Sequence, residues 1–304
     1  MGCNARKEIT CAEFALIRMH KSNLIRTLEI EERFDIVLAN YVEFEKEILD
    51  RAVEHNLFAK MTPHQMHEDR TALNRRITNL LSSCRLYLDQ LRHSIKAIYG
   101  EGAEFDAIEK LTNIEYDKHF SYRLMEAMRN FVQHRGLAAS SYSISHQLTD
   151  LGNDGRVACT VTPQVICKDL ENDPQFKATV KDELRALPNC LDLKPYVREY
   201  IECLWRIHSG VRSQLSSGCL LWEQTLRKAI DDFKNHLSIS SDDVPVGLAI
   251  IYGGSNPPYT IAEKHDVFLD FIERRKYMEK RNVVNKDLSR RFVTGQESSL
   301  IKTK

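Results

Sequence analysis

A chain of 304 residues is long enough to bury a substantial core as one large domain or two small ones, so folding needs no disulfide staples. Lys+Arg and Asp+Glu both number 43, which excludes the global positive field that binds nucleic acid indiscriminately; any RNA or DNA contact has to come from a local patch. The eight cysteines (Cys3, Cys11, Cys84, Cys159, Cys167, Cys190, Cys203, Cys219) form no C-x-x-C pair and no zinc-ligand spacing, the pattern of free buried thiols in a reducing cytosol.

The opening MGCNARKE has Gly2 and Cys3, but Arg6 stands where a myristoylation signal has Ser or Thr, and no apolar stretch of a secretion signal follows. No run approaches the roughly 18 apolar residues of a membrane span. The expectation is a cytoplasmic protein with no membrane partner.

Residues 10–60 carry apolar residues at three- and four-residue steps and predict at least two helices, an N-terminal helical segment over 1–65. The next stretch, TALNRRITNLLSSCRLYLDQLRHSIKAIYG, has the clearest pattern. At about 100° per residue, Leu73, Ile77, Leu80, Leu81, Cys84, Leu88, Leu91, Ile95 and Ile98 share one face. Asn74, Ser82, Arg85, Asp89, Arg92 and Lys96 share the other, and Gly100 supplies a stop.

Residues 104–111 allow a brief helix, and EYDKHFSYRLMEAMRNFVQH resumes a long one that ends at Gly136. Leu124, Met125, Met128, Phe131 and Val132 form its apolar stripe; Glu126, Arg129, Asn130, Gln133 and His134 lie opposite. Two long amphipathic helices with a short connection predict an antiparallel pair.

The pattern changes at about 140–168, where β-branched and aromatic residues flank a Gly-Asn-Asp-Gly turn, a β-hairpin signal within the helices and an insertion standing out from them. Helix returns at 175–186, then from Pro195 in a very long helix expected to bend or break near Gly210 or Gly218. IYGGSNPPYT reads as a loop, AEKHDVFLDFIERRKYMEKRN as a further helix, and the chain beyond 285 as a frayed tail. The fold class is mainly α: a 66–238 helical core with an inserted hairpin, an extra N-terminal segment, and a C-terminal loop, helix and tail over 239–304.

One constellation has the parts for chemistry. Arg129 and His134 lie five positions apart, rotated by about 140° on a helix, so they bracket a polar face. A guanidinium fork suits phosphate oxygens, and an imidazole moves protons near neutral pH. Together they have the parts to cleave a phosphodiester without a metal, His134 assisting proton transfer at the 2′-hydroxyl or leaving oxygen and Arg129 stabilising charge on the phosphorus oxygens. Spacing alone is weak evidence, because cations also suit a helix C-terminus.

The stretch RNFVQHRGL resembles the R-x4-6-H motif of HEPN domains (higher eukaryotes and prokaryotes nucleotide-binding), in which a polar residue, often Asn, follows the arginine; Asn130 holds that position. The upstream LNRRITNLLSSCRLYLDQ is similar to the helix that precedes the motif in several bacterial groups, so the resemblance covers about residues 66–137, and 195–236 more loosely. It implies a HEPN-like antiparallel helical bundle and a metal-independent endoribonuclease of phage defence or toxin–antitoxin systems. Arg129 and His134 take the catalytic roles and Asn130 an orienting one. The chain holds one R-x4-6-H, so a composite site implies a homodimer, with an antitoxin or regulator as a possible partner. The hairpin and the first 60 residues lie outside a minimal core of this family.

Other features weigh less. Arg85, Asp89, Arg92, Lys96 and Gln133 are supporting or RNA-binding candidates, with Asp89 a carboxylate that would hold Arg129. His64 and His67, followed by Glu68 and Asp69, have metal-ligand spacing but no distant partner, and a solvated helix end fits them better; no metal or other cofactor is expected. YGGSNPPYT lacks a nucleotide-binding glycine pattern, and ERRKYMEKR is a secondary candidate for a phosphate track. Trp205 and Trp222 read as core. The alternative function is a non-catalytic interaction or nucleotide-binding protein using the same polar face.

Overall fold

The computed structural model of the chain describes residues 6–58, 62–148, 157–238, 248–253 and 261–291. In order, the described elements are α1 (Cys11–Leu57), α2 (Pro63–Tyr99), α3 (Ala103–Lys118), α4 (Phe120–His134), β1 (Ser141–Leu148), β2 (Val157–Ile166), α5 (Cys167–Asn172), α6 (Ala178–Leu184), β3 (Cys190–Asp192), α7 (Leu193–Leu237), β4 (Ala249–Gly253), β5 (Ile261–Asp266) and α8 (Asp270–Arg281). The chain is mainly helical with small antiparallel sheets, as its periodicity predicts.

α1 is one helix of 47 residues, not the two expected. Thr10 and Glu13 start it with a reciprocal capping pair: the Glu13 N–H donates to the Thr10 hydroxyl at 3.1 Å, and the Thr10 N–H donates to the Glu13 carboxylate at 2.8 Å. No Gly or Pro occurs between Thr10 and Phe58, so nothing in the chain interrupts the ladder. α2 stops where expected, with Gly100 at φ +75°, a left-handed conformation that favours glycine.

The expected brief helix and long helix are shifted: α3 runs on to Lys118 and α4 begins at Phe120, with His119 extended between them at φ −116°, ψ 114°. The hairpin is present, with Ser141 opposite Gln164 and Leu148 opposite Val157. Its Gly-Asn-Asp-Gly turn lies outside the described residues. Short β3 adds a third strand through Gln164–Ile166, and the sheet is docked instead of standing apart. Val161 and Val165 are fully buried, and Lys194 of α7 donates to the Val161 carbonyl at 3.0 Å.

α7 runs 45 residues without a break at either glycine. At Gly218 the missing side chain makes room for Trp222, whose ring would lie 2.9 Å from an added Cβ, so this glycine serves packing and not a bend. Part of the expected loop and the start of the expected last helix are strands instead: β4 and β5 pair from Ala249 opposite Asp266 to Gly253 opposite Ile261. Residues 254–260 lie outside the described residues. The tail expected to fray from 285 holds a short 3-10 turn at Leu288–Arg290, tied down where the Asp287 and Leu288 N–H groups donate to Glu202.

Two compact units share the chain. The first comprises Met1–Glu32, Gln90–Phe105 and Gly210–Asn282. Its core includes Phe14, Ile17, Leu24, Trp222, Leu226 and Ile272, with Arg212 bidentate to Glu31 at 2.8 and 2.6 Å. The second comprises Arg33–Asp89, Asp106–Ser209 and Val283–Lys304. There Phe34 stacks on His208 at 4.0 Å, the Tyr87 hydroxyl meets His208 Nδ1 at 2.8 Å, and Tyr122 and Tyr200 meet edge to face at 5.2 Å.

Candidate active site at the end of the fourth helix

All of α4 lies in the second unit. Its apolar stripe buries Leu124, Met125 and Met128, while Phe131 and Val132, expected to share that role, are half-buried. The Phe131 ring meets Phe176 edge to face at 6.1 Å and fills the space beside Gly136, where an added Cβ would lie 3.0 Å from it. Gly136 is therefore a packing glycine and takes no left-handed cap conformation. Arg123 grips Glu183 of α6 through two bonds at 2.9 and 2.6 Å, and Arg135 reaches Asp173 at 3.6 Å. Together these contacts hold the end of α4 in place.

On the polar face, Arg129 is half-buried, and Asn130, Gln133 and His134 are exposed. Nη1 of Arg129 donates to Oδ1 of Asn130 at 2.8 Å. Among the described residues Arg129 has no carboxylate partner, so its charge is not neutralised by an ion pair. A guanidinium oriented by a neutral amide keeps donors for an anion, whereas one clamped by a carboxylate gives up part of that capacity.

The expected role of Asp89 does not appear. Its carboxylate pairs with Arg85 on its own helix at 2.8 Å, and Arg85 also reaches Glu126 of α4 at 3.4 Å. The Tyr200 hydroxyl donates to the same Glu126 at 2.6 Å. Burial, then the neighbouring Glu126 charge, pushes the Tyr200 hydroxyl well up, which keeps its proton in place for that bond. Arg85 and Asp89 therefore brace α4 against α2. Two further members of the stripe, in the first unit, are also engaged: Arg92 lies over the Phe105 ring at 5.7 Å, and Lys96 pairs with Glu101. Asn74, expected on the solvent face, is buried, because its amide bonds both the N–H and the carbonyl of Ala139, at 2.9 and 3.0 Å.

The other sequence candidates disperse. His64 is exposed and pairs with Glu68 at 3.1 Å, His67 faces Arg70, and Asp69 is buried elsewhere, so no metal site forms there. In ERRKYMEKR, Arg274 pairs with Glu32, Arg275 with Glu279 and Lys276 with Glu223, at 2.8, 2.5 and 2.8 Å, which removes most of the charge a phosphate track needs. Trp222 is buried as expected, but Trp205 only partly. Of the seven described cysteines none is paired, and Cys11 and Cys190 are exposed, contrary to the expectation of buried thiols. No helix among the described residues is long and apolar enough to cross a membrane.

Two polar clusters were not anticipated. Asp69 is fully buried and accepts bonds from His55 Nε2 at 2.7 Å, Arg51 Nη1 at 3.0 Å and the Tyr142 hydroxyl at 3.1 Å, tying α1, α2 and β1 together. At the α3–α4 break, Glu115, His119 and Cys203 bring one ligand atom each within 4.8 Å of one another, around the guanidinium of Arg206. The four-residue spacing of Glu115 and His119 is visible in the sequence; the Cys203 partner on α7 is not. Comparison of the chain with models of protein families, with curated proteins and with solved structures yields no match.

Proposed function

We propose that the protein is a metal-independent endoribonuclease of HEPN type, acting as a homodimer in phage defence or a toxin–antitoxin system. The observation that carries this reading is the Arg129–Asn130 bond on the helix that ends in an exposed His134: a charged fork, oriented by an amide and without a carboxylate partner among the described residues, with a proton-transfer group five residues further along the same helix. In the proposed reaction the 2′-hydroxyl of RNA attacks the adjacent phosphorus and the P–O5′ bond breaks. His134 moves the proton from the 2′-oxygen or to the leaving 5′-oxygen, and Arg129 stabilises the added negative charge. The products are a 2′,3′-cyclic phosphate and a 5′-hydroxyl. The second motif of the composite site comes from a second copy of the chain.

The test compares a single-stranded RNA with the same sequence as DNA, beside the mass of the particle by light scattering. The proposal expects a dimer that cuts RNA and leaves DNA intact. Equal cleavage of both strands rules out 2′-hydroxyl attack.

A second reading, a helical interaction protein without catalysis, draws on α1. Val42, Val53 and Leu57 are exposed and fall within about 60° of one another around that helix, on a face that also carries the exposed Lys46, a mixed apolar and charged surface for a partner.

A further inference from the structure

We propose that Glu115, His119 and Cys203 form a binding site for a divalent transition metal of the zinc class, held closed by Arg206. The site lies at the start of α4, about 22 Å along the helix from His134, so it is separate from the proposed nuclease chemistry.

The geometry is that of a ligand set. His119 Nε2 and Glu115 Oε2 are 3.4 Å apart, the separation expected for two ligands at about 2.1 Å from one tetrahedral zinc. Cys203 contributes sulfur from α7, opposite the break between α3 and α4, where the backbone of His119 is extended. The three supply O, N and S, a combination that suits zinc over magnesium or calcium.

The surroundings of His119 suit a metal ligand. Nε2 lies 3.1 Å from Arg206 Nη2, which can only donate, and the neutral ring that accepts there has its lone pair on Nε2. The proton then sits on Nδ1, which donates to Glu199 at 3.0 Å, and Glu199 in turn accepts from the Ser121 hydroxyl. A carboxylate behind the far nitrogen of a ligating histidine is the usual outer support of a zinc site.

Arg206 occupies the middle of this set. Its Nε and Nη2 both reach Glu115 Oε2, at 2.9 and 2.8 Å, and Nη2 also lies 3.1 Å from His119 Nε2 and 3.1 Å from Cys203 Sγ. A divalent cation that takes the place of the guanidinium meets the same three atoms. The guanidinium also has somewhere to go: it is partly exposed, and Glu202 lies 3.3 Å from its Nη1. Charge balances across the exchange. Glu115 carboxylate, Cys203 thiol and Arg206 sum to zero; after Arg206 leaves and the thiol gives one proton to solvent, carboxylate, thiolate and M²⁺ again sum to zero. The entering metal clips the end of α3 to α7.

The test is titration of the full chain with Co²⁺, then Zn²⁺, in weakly buffered solution. The expected result is one ion per chain, a sulfur-to-cobalt charge-transfer band, release of one proton, and loss of the cobalt band on adding zinc. Arg206→Ala removes the competing cation and is expected to bind roughly tenfold or more tightly. Cys203→Ser removes the band; His119→Ala, which keeps the thiol, weakens binding and covers the case in which the serine variant fails to fold. Absence of the band in both the wild-type protein and a folded Arg206→Ala variant overturns the proposal. So does a band that persists in Cys203→Ser, which would assign the thiolate to another cysteine.

Discussion

The guanidinium of Arg129 donates to the side-chain oxygen of its neighbour Asn130 at 2.8 Å, while Asp89 is paired with Arg85. Orientation of the proposed catalytic arginine therefore rests on an uncharged group. Asn130→Ala is expected to lower the cleavage rate roughly tenfold to a hundredfold, the worth of one hydrogen bond to a charged group, with no change in thermal stability. Asn130→Asp keeps an acceptor but neutralises the fork, and is expected to cost at least as much. Rates of both variants on one RNA substrate check this; rates equal to wild type exclude an orienting role.

Asp69 is the most exacting polar residue of the second unit. Removing its carboxylate strands His55 and Tyr142 around a buried void and leaves Arg51 only Glu54 and Glu47, so Asp69→Ala is expected to cost about 3–5 kcal/mol in urea unfolding. Tyr142→Phe removes a single bond and is expected to cost about 1 kcal/mol. Similar losses for the two substitutions would mean that Asp69 is not the hub of the cluster.

His20 links stability of the first unit to pH. Its Nδ1 lies 2.8 Å from the Thr225 hydroxyl, which itself donates to the Leu221 carbonyl, so Nδ1–H is the donor. Burial lowers its pKa below the ordinary 6.5. As pH falls through 6.5 the unfolded chain takes up the proton before the folded one does, so stability present above 6.5 is lost as pH falls through the folded value. Chemical denaturation on either side of 6.5 should show this loss, and His20→Gln should reduce the pH dependence. An unchanged profile in the variant would assign it to other groups.

Gly218→Ala separates helix propensity from packing. Alanine improves an average helix interior by up to about 1 kcal/mol. Here its Cβ would sit 2.9 Å from the buried Trp222 ring, and overpacking of that kind costs about 1–3 kcal/mol. The expected net effect is a lower unfolding midpoint with altered Trp222 fluorescence.

Much of the architecture was legible because it is periodic. Leu73, Ile77, Leu80, Leu81, Cys84, Leu88, Leu91, Ile95 and Ile98 were read as one face, and all are buried but Leu88 and Ile98, which are half-buried; the hairpin's alternating pattern marked β1 and β2. What escaped was decided by distant partners. His119 interrupts a helical run without Gly or Pro nearby, and its ring is engaged by Glu199 and Arg206 from α7. Asn74 looks solvated by composition, yet it pairs with the Ala139 backbone 65 residues on. β5 is written in helix-forming Ala, Glu and Lys, and only its pairing with β4 makes it a strand. For the candidate site, the Arg129, Asn130 and His134 face was readable from spacing, but the partner of Asp89 was not, since two arginines on different helices competed for it.

The most direct test is incubation of the purified protein with a defined single-stranded RNA in excess EDTA, beside Arg129→Ala and His134→Ala. His134 is exposed and Arg129, half-buried, has no ion-pair partner among the described residues, so both variants should fold, with a stability change within about 0.5 kcal/mol for His134→Ala. The account predicts fragments ending in 2′,3′-cyclic phosphate from the wild-type protein and none from either variant. A folded wild-type dimer that leaves the RNA intact, or cleavage that survives in both variants, would contradict it.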